Sequence, residues 1–156
     1  MQTLRSHIIS YNVHSDTRLY YSNWEHQGAI DYILNIVKKN AIPDIIICAN
    51  DELAMVSCNG LEAQGYKVPQ DVMVTGFDNS FFSKTFYPSI SSVDQRYDQL
   101  GAECANIIKG IFAGDNELKE VVVSSKFCPR ESTRELADSD IELIRRYVGK
   151  TKSSYV

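Results

Sequence analysis

A chain of 156 residues, of which 44% are hydrophobic and 23% charged, can bury a core and has the balance of a globular protein rather than a disordered one. Sixteen basic residues against twenty acidic ones give a formal charge of −4, whereas a domain that grips phosphate backbones usually has a basic excess or a basic stripe. The composition therefore predicts that this chain by itself does not bind DNA specifically.

The cysteines and histidines show no spacing that is typical of a metal site. No CxxC pair occurs, and no histidine stands at metal-ligand spacing along the sequence. They are Cys48, Cys58, Cys104, Cys128, His7, His14 and His26. P-loop, GxGxxG and GxSxG motifs do not occur, so we predict neither a metal nor a cofactor. Unpaired cysteines, with no signal peptide and no membrane-length apolar run, favour a cytoplasmic location.

The predicted elements of the first half alternate between helix and strand. A helix over residues 24–40 carries one apolar stripe at helical spacing, and Pro43 ends it. The stripe consists of Ile30, Ile33, Leu34 and Val37. The apolar run at 45–49 indicates a strand covered on both faces. The next helix spans 51–64, and Gly65 is the expected left-handed residue beyond its end.

The second half continues this alternation. A strand over 72–77 precedes a loop over 81–87, and an extended segment, a helix over 99–112 and a strand over 121–123 follow. The loop contains Phe81, Phe82, Phe86 and Tyr87. The apolar face of the 99–112 helix consists of Leu100, Cys104, Ile107, Ile108 and Ile111. The pattern predicts an α/β fold with a mainly parallel sheet and flanking helices.

Polar residues follow two of the predicted strands directly. Asn50 and Asp51 come after the first, and Asp78 and Asn79 come after the second. Ligands of open parallel sheets bind beyond the carboxyl ends of the strands, so both turns would face one site. An amide and a carboxylate together suit a polyol, a sugar or a nucleobase. The alternatives are structural, since Asp51 could cap a helix and Asp78 could stabilise its own turn.

Three consecutive motifs carry a resemblance to a known family. They are CANDELA at 48–54, GLEAQGYKVPQDV at 60–72 and VTGFDN at 74–79. In order and spacing they resemble the effector-binding domain of the LacI/GalR family of bacterial transcription regulators. The resemblance covers residues 1–134 and implies a type I periplasmic-binding-protein-like fold. It leaves 135–156 as a helical tail or the start of a linker.

The resemblance also implies which residues bind a ligand. Asn50 and Asp78 match positions that contact the effector in the family, and Gln95 and Tyr97 match positions that line its cleft. Trp24, or its neighbour Asn23, corresponds to a position at which the family has an aromatic residue that packs on the effector. The candidate ligand-binding residues are therefore Asn50, Asp51, Asp78, Gln95, Tyr97 and Trp24.

The resemblance further implies that this chain is the C-terminal part of the effector-binding domain. We expect a helix-turn-helix, the N-terminal subdomain and an effector-binding arginine to lie before residue 1. Family members usually dimerise through the helix at 55–64 and the aromatic loop, which predicts a homodimer. The 99–112 helix, which packs on the N-terminal subdomain in the family, would lack that partner here.

The favoured interpretation is a sensor of a small molecule, a sugar or a nucleoside or purine, in a LacI-type regulator whose DNA-binding domain is absent from this chain. One alternative is the same sensor fold fused to a signalling module such as a kinase or cyclase. A less favoured alternative is an enzyme with Asp51, Glu52 and Asp78 as acid–base groups. No nucleophile, metal site or phosphate cradle accompanies these carboxylates, so we predict that the chain is not an enzyme and does not bind membranes.

Overall fold

The computed structural model describes residues 19–114 and 120–134. The chain divides into two compact units, and Ser22–Arg134 forms the unit that contains the helices and strands given below. The other unit comprises Met1–Tyr21 and Glu135–Val156, of which only residues 19–21 are described. The predicted tail at 135–156 therefore lies outside the described residues.

Helices and strands alternate through the described part of this unit. In chain order they are α1 (His26–Lys38), β1 (Ile45–Ile47), α2 (Asp51–Ala63), β2 (Met73–Thr75), α3 (Phe81–Thr85), β3 (Ser92–Asp94), α4 (Tyr97–Phe112) and β4 (Lys126–Cys128). β1 and β2 pair in parallel, and a parallel bridge joins Thr75 of β2 to Ser91. β3 and β4 form a separate antiparallel pair. The predicted α/β fold with parallel pairing of the first two strands is confirmed.

The core lies where α1 and α2 pack on β1 and β2. Its buried members are Ile33, Ile36, Ile46, Ala54, Cys58, Leu61, Val72, Val74 and Ile90. Each large aliphatic side chain buried in this way contributes about 1.5 to 3 kcal/mol. The buried stripe of α1 consists of Ala29, Ile33 and Ile36, whereas Leu34 is 46% exposed. Leu34, which the sequence pattern places on this stripe, lies at its exposed edge, where it lines a groove beside α2 together with Ile30 and Ile33.

β1 is covered on one face only. Ile46 is buried against the helices, but its neighbours Ile45 and Ile47 point to the other face and are exposed, Ile47 by 66%. The prediction of a strand covered on both faces was therefore wrong within the described residues. The apolar run indicates strand propensity. Whether other segments cover each face of the strand depends on residues far away in the sequence.

Two further predictions need correction. The aromatic loop contains a short helix, α3, which begins where the Ser80 side chain accepts a hydrogen bond from the backbone N–H of Ser83. The predicted strand at 121–123 does not form, and β4 lies five residues further along the chain. β4 pairs with β3, which places Phe127 opposite Val93.

The segment after β4 returns to β2 and is bound to it. The backbone N–H of Val74 donates to the carbonyl of Ser132 at 2.9 Å, and the Ser132 hydroxyl donates to the carbonyl of Val74 at 2.6 Å. The same hydroxyl oxygen accepts from the N–H of Ser91 at 2.8 Å. Ser132 is fully buried, so this short segment forms part of the interior beside the sheet.

The predicted second amphipathic helix is present as α4, and it buries none of its residues within the described part of the chain. Its apolar face, which includes Leu100, Ile108 and Ile111, is exposed. Within residues 19–114 and 120–134, neither α4 nor another helix is long and apolar enough to cross a membrane.

The thiols of the core are kept protonated by their surroundings. Burial raises the pKa of Cys58 to about 12. Burial also raises the pKa of Cys48 to about 11, although a contact of 3.7 Å between its Sγ and Ser57 Oγ opposes this. Both behave as small apolar residues at neutral pH. In the described ranges, His, Cys, Asp and Glu side chains form no cluster of three that could hold a metal ion.

Candidate functional site

A cleft of about 270 Å³ opens where β1 and β2 end, and we call it the strand-end cleft. Its lining residues are Asn50, Asp51, Glu52, Met55, Asp78, Ser80 and Phe82. The first turn of α2 supplies one wall and the segment leading into α3 supplies the other. Three of the predicted ligand-binding residues, Asn50, Asp51 and Asp78, therefore lie together on one rim of the sheet.

Asn50 is the N-cap residue of α2. Its side-chain oxygen accepts a hydrogen bond from the backbone N–H of Leu53 at 2.8 Å. This interaction satisfies one of the free N–H groups at the start of the helix. Capping was the structural alternative for Asp51, and the structure gives that role to Asn50. The cap uses only the oxygen of the carboxamide, so its two N–H donors are not consumed by it.

Asp51 has a different position from the one its sequence context suggests. It is 2% exposed, and its two carboxylate oxygens accept hydrogen bonds from the chain. Oδ2 accepts from the backbone N–H of Ser80 at 2.6 Å, and Oδ1 accepts from the Ser92 hydroxyl at 2.5 Å. Gly76 lies directly against it, since a Cβ at position 76 would be 2.3 Å from Asp51 Oδ1. The carboxylate thus joins α2 to two later segments of the chain.

Asp78 follows β2 and is held by two polar side chains. Its Oδ1 accepts from Gln95 Nε2 at 2.7 Å and from the Tyr97 hydroxyl at 3.3 Å, and Gln95 Nε2 also contacts the Tyr97 hydroxyl oxygen. Partial desolvation and the charge of Asp78 raise the pKa of Tyr97, so its hydroxyl remains a donor at neutral pH. Three predicted site residues therefore form one hydrogen-bonded group.

Trp24 precedes α1 and is 70% exposed. It does not line the strand-end cleft. His26 Nε2 lies 3.0 Å from Glu52 Oε1, which joins the first turn of α1 to the first turn of α2. Both Trp24 and Asn23 have left-handed backbone angles, with φ values of 63° and 53°. The turn therefore projects an aromatic side chain into solvent at this end of the sheet.

Asp94 and Arg130, for which the sequence predicted no role, support the site together with Asn79. Asn79 donates from Nδ2 to Asp94 Oδ2 at 3.1 Å, and its Oδ1 accepts from Arg130 Nη2. Arg130 Nη1 also donates to the carbonyl of Ile90 at 2.5 Å. The pKa of Asp94 is lowered, chiefly by the hydrogen bond that its Oδ1 accepts from the backbone N–H of Arg96. The only sequence signal for Arg130 was its place in the PREST motif that follows β4.

The comparisons with known proteins agree with this architecture. Residues 2–133 match the family described as "Periplasmic binding protein-like domain". The HTH-type transcriptional regulator RegA of Clostridium acetobutylicum is 37% identical over 105 residues, which cover 67% of this chain and 31% of the relative. The sucrose operon repressor of Escherichia coli is 37% identical over 90 residues, which cover 55% of this chain and 27% of that protein.

Solved structures show the same relationship. A LacI-type transcription regulator from Bifidobacterium animalis subsp. lactis has a TM-score of 0.63 at 26% identity, covering 70% of this chain and 40% of that one. The transcriptional regulator CelR in complex with cellobiose has a TM-score of 0.71 at 24% identity, covering 84% and 41%. The chain spans no more than about a third of the length of the curated relatives cited here. It belongs to the periplasmic binding protein-like domain family, in the form found in LacI-type transcriptional regulators.

Proposed function

We propose that this chain is the C-terminal part of the effector sensor of a LacI-type regulator and that it binds an uncharged, hydroxyl-bearing small molecule. The observation that carries the proposal is the group formed by Asp78, Gln95 and Tyr97, which lies at the carboxyl end of β2. Asn50 shares the strand-end cleft with Asp78. Carboxylate, amide and phenol groups in one place can accept from and donate to the hydroxyls of a sugar or the polar edge of a nucleoside.

The charges around the strand-end cleft favour an uncharged ligand over an anion. Glu52 and Asp78 contribute acidic side chains to its lining, and no lysine or arginine is among the lining residues in the described part of the chain. The buried Asp51 adds a third carboxylate. An anionic ligand would meet repulsion here, whereas hydroxyl groups would find acceptors. A relative named sucrose operon repressor and the CelR–cellobiose complex support a sugar in particular.

The response to the ligand would follow from closure of two subdomains around it. A ligand can shift such an equilibrium only if its affinity for the two conformations differs. In this proposal, DNA is contacted through a helix-turn-helix domain outside the present chain, and the cited relatives are named as regulators rather than as enzymes. Asn50, Asp78, Gln95 and Tyr97 contact the effector, and Trp24 covers one face of it.

A thermal-shift panel tests this function. It pairs D-glucose with D-glucuronate and adenosine with AMP, and it adds cellobiose. A saturating neutral effector at 100 times its Kd should stabilise the fold by about 2.7 kcal/mol, which is about 5 to 10 °C in Tm. The charged partner of the neutral compound that binds, D-glucuronate or AMP, should raise Tm by less than half as much. The proposal fails if no uncharged compound in a wider set of sugars and nucleosides raises Tm, or if only the anions do.

We also propose that the chain forms a homodimer through α2 and the aromatic segment around α3. Phe81 and Tyr87 are 71% and 83% exposed, which leaves apolar surface in contact with solvent. Phe81 and Phe82 form an edge-on pair with centroids 5.9 Å apart, so the surface is already ordered. Met55 of α2 lines the strand-end cleft together with Phe82, which makes the two surfaces continuous.

Light scattering at micromolar concentration should give twice the chain mass of 17.6 kDa. Phe81→Ser combined with Tyr87→Ser should yield a monomer. Phe112→Ser removes an equally exposed aromatic from the end of α4 and serves as the matched control, which should remain dimeric. Dissociation by Phe112→Ser alone would assign the contact to α4 instead.

A further inference from the structure

We propose that Asp51 is a positioning residue for effector binding, whose buried carboxylate fixes the loop at 78–80 and thereby the side chain of Asp78. The inference rests on the effector-binding role proposed for Asp78. It changes the part assigned to Asp51, which our sequence analysis included among the ligand contacts. Asp51 acts on the ligand through the loop and not by contact with it.

The first step is the set of hydrogen bonds that Asp51 organises. Its Oδ2 accepts from the backbone N–H of Ser80, and its Oδ1 accepts from the Ser92 hydroxyl. That hydroxyl oxygen in turn accepts from the backbone N–H of Asn79 at 3.0 Å. The two amides that follow Asp78 in the chain are therefore bound to Asp51, one directly and one through Ser92.

The second step is the conformation that these bonds hold. Asp78 and Asn79 have φ values of 94° and 51°, a left-handed region that Asp and Asn enter more readily than other side-chain-bearing residues, usually as single residues. Two consecutive residues in this region are uncommon, and hydrogen bonds from the surroundings stabilise them there. The backbone N–H of Asp78 donates to the carbonyl of Val93 at 3.0 Å, and the next two amides depend on Asp51 and Ser92. Release of those two amides would allow the loop to relax and the Asp78 carboxylate to move.

The third step is the burial of the carboxylate, which distinguishes it from a ligand contact. Asp51 is 2% exposed and Ser92 is fully buried. A carboxylate is an acceptor at both oxygens, and here both are used within the chain. An asparagine at this position has nearly the same shape but only one side-chain oxygen. If that oxygen keeps the bond from the Ser80 N–H, the Nδ2 group faces Ser92 as a donor, and the Ser92 hydroxyl loses its acceptor.

The first arm of the test measures hydrogen exchange in the 156-residue chain without ligand. Asp51→Asn should raise the exchange rate of the Asn79 and Ser80 amides about tenfold or more, while those of Ile36 and Ile46 in the core change by less than about twofold. Ser92→Ala is the second variant. It should raise exchange at Asn79 and leave Ser80 unchanged, because only Asn79 is bound through Ser92. Asp31→Asn, an exposed acid on α1, is the control.

The second arm is a double-mutant cycle on affinity, with D-glucose, cellobiose and adenosine as the ligands in calorimetry. Asp51→Asn should weaken binding about tenfold in the wild-type background and less than about twofold once Asp78 is asparagine, since it acts through Asp78. Its effect on stability should be the same in both backgrounds.

The outcomes separate the inference from the proposed function. Absence of binding by the wild-type chain would count against the function, while the exchange rates would still decide the role of Asp51. A uniform rise in exchange, or an equal loss of affinity in both backgrounds, would reduce Asp51 to a structural residue. If Asp51→Asn does not fold, the selective effect of Ser92→Ala on Asn79 and on affinity decides the question, and its absence overturns the inference.

Discussion

Replacing Gly76 with alanine should lower the free energy of unfolding by about 1 to 3 kcal/mol, the range typical of a group forced into a packed interior. The added Cβ would lie 2.3 Å from Asp51 Oδ1 and 2.8 Å from Asp51 Cα, and neither atom is free to move. The Cα belongs to the first residue of α2, and the oxygen is bound to the Ser92 hydroxyl. Urea denaturation followed by circular dichroism measures the change.

Gly101→Ala provides the matched control. Position 101 lies inside α4, and among the residues that the structure describes no atom outside the adjoining turns of that helix would come within 4 Å of a new Cβ there. Since alanine favours the helix over glycine, this variant should gain up to about 1 kcal/mol. Equal stabilities for the Gly76 variant and the wild type would mean that the Asp51 carboxylate is not confined as described.

Asp78→Asn should weaken effector binding about tenfold, because a hydrogen bond to a charged acceptor exceeds one to a neutral acceptor by about 1 to 1.5 kcal/mol. Asparagine keeps the size of the side chain and tolerates the left-handed φ of 94° at this position. The free energy of unfolding should therefore change by less than about 1 kcal/mol, because asparagine keeps an oxygen that can accept from Gln95 and Tyr97. Calorimetry with the best neutral ligand of the panel measures the affinity.

The control for this variant is Asp31→Asn on α1, where the exposed carboxylate accepts a hydrogen bond from Gln27 Nε2 of the same helix at 2.9 Å. It removes the same charge from a residue that does not line the strand-end cleft and should leave affinity unchanged. If Asp78→Asn binds the ligand with wild-type affinity, Asp78 does not contact the effector. The role proposed for the group of Asp78, Gln95 and Tyr97 would then be wrong.

Local sequence patterns were sufficient to predict the parallel pair and the meeting of Asn50 and Asp78 at its strand ends. The apolar run at Ile45–Ile47 and the run around Val74 each end in polar residues, and this pattern is visible without knowing what packs on them. The same locality explains the errors. The exposure of Ile47 and the choice of Lys126–Cys128 over 121–123 as the strand depend on partners many residues away.

Asp51 shows the same limit at the level of one side chain. Its carboxylate meets a backbone N–H 29 residues later and a hydroxyl 41 residues later, so no window around position 51 could have revealed its partners. Its neighbour Asn50 takes the capping role, which sequence patterns assign equally well to either residue. The Asp78, Gln95 and Tyr97 group was accessible from family resemblance, but the bonds within it were not.

The segment after β4 has a consequence for the order in which this unit can form during synthesis. Core helices α1 and α2 and the paired strands β1 and β2 are complete once residue 75 has been made. The N–H of Val74 donates to the carbonyl of Ser132, and Asn79 Oδ1 accepts from the guanidinium of Arg130, so both bonds need residues that are made later. More than fifty residues of chain must be added before these partners exist. The sheet can therefore assemble early on the ribosome, whereas the loop that presents Asp78 reaches its full set of hydrogen bonds only when residues 130–132 have been made.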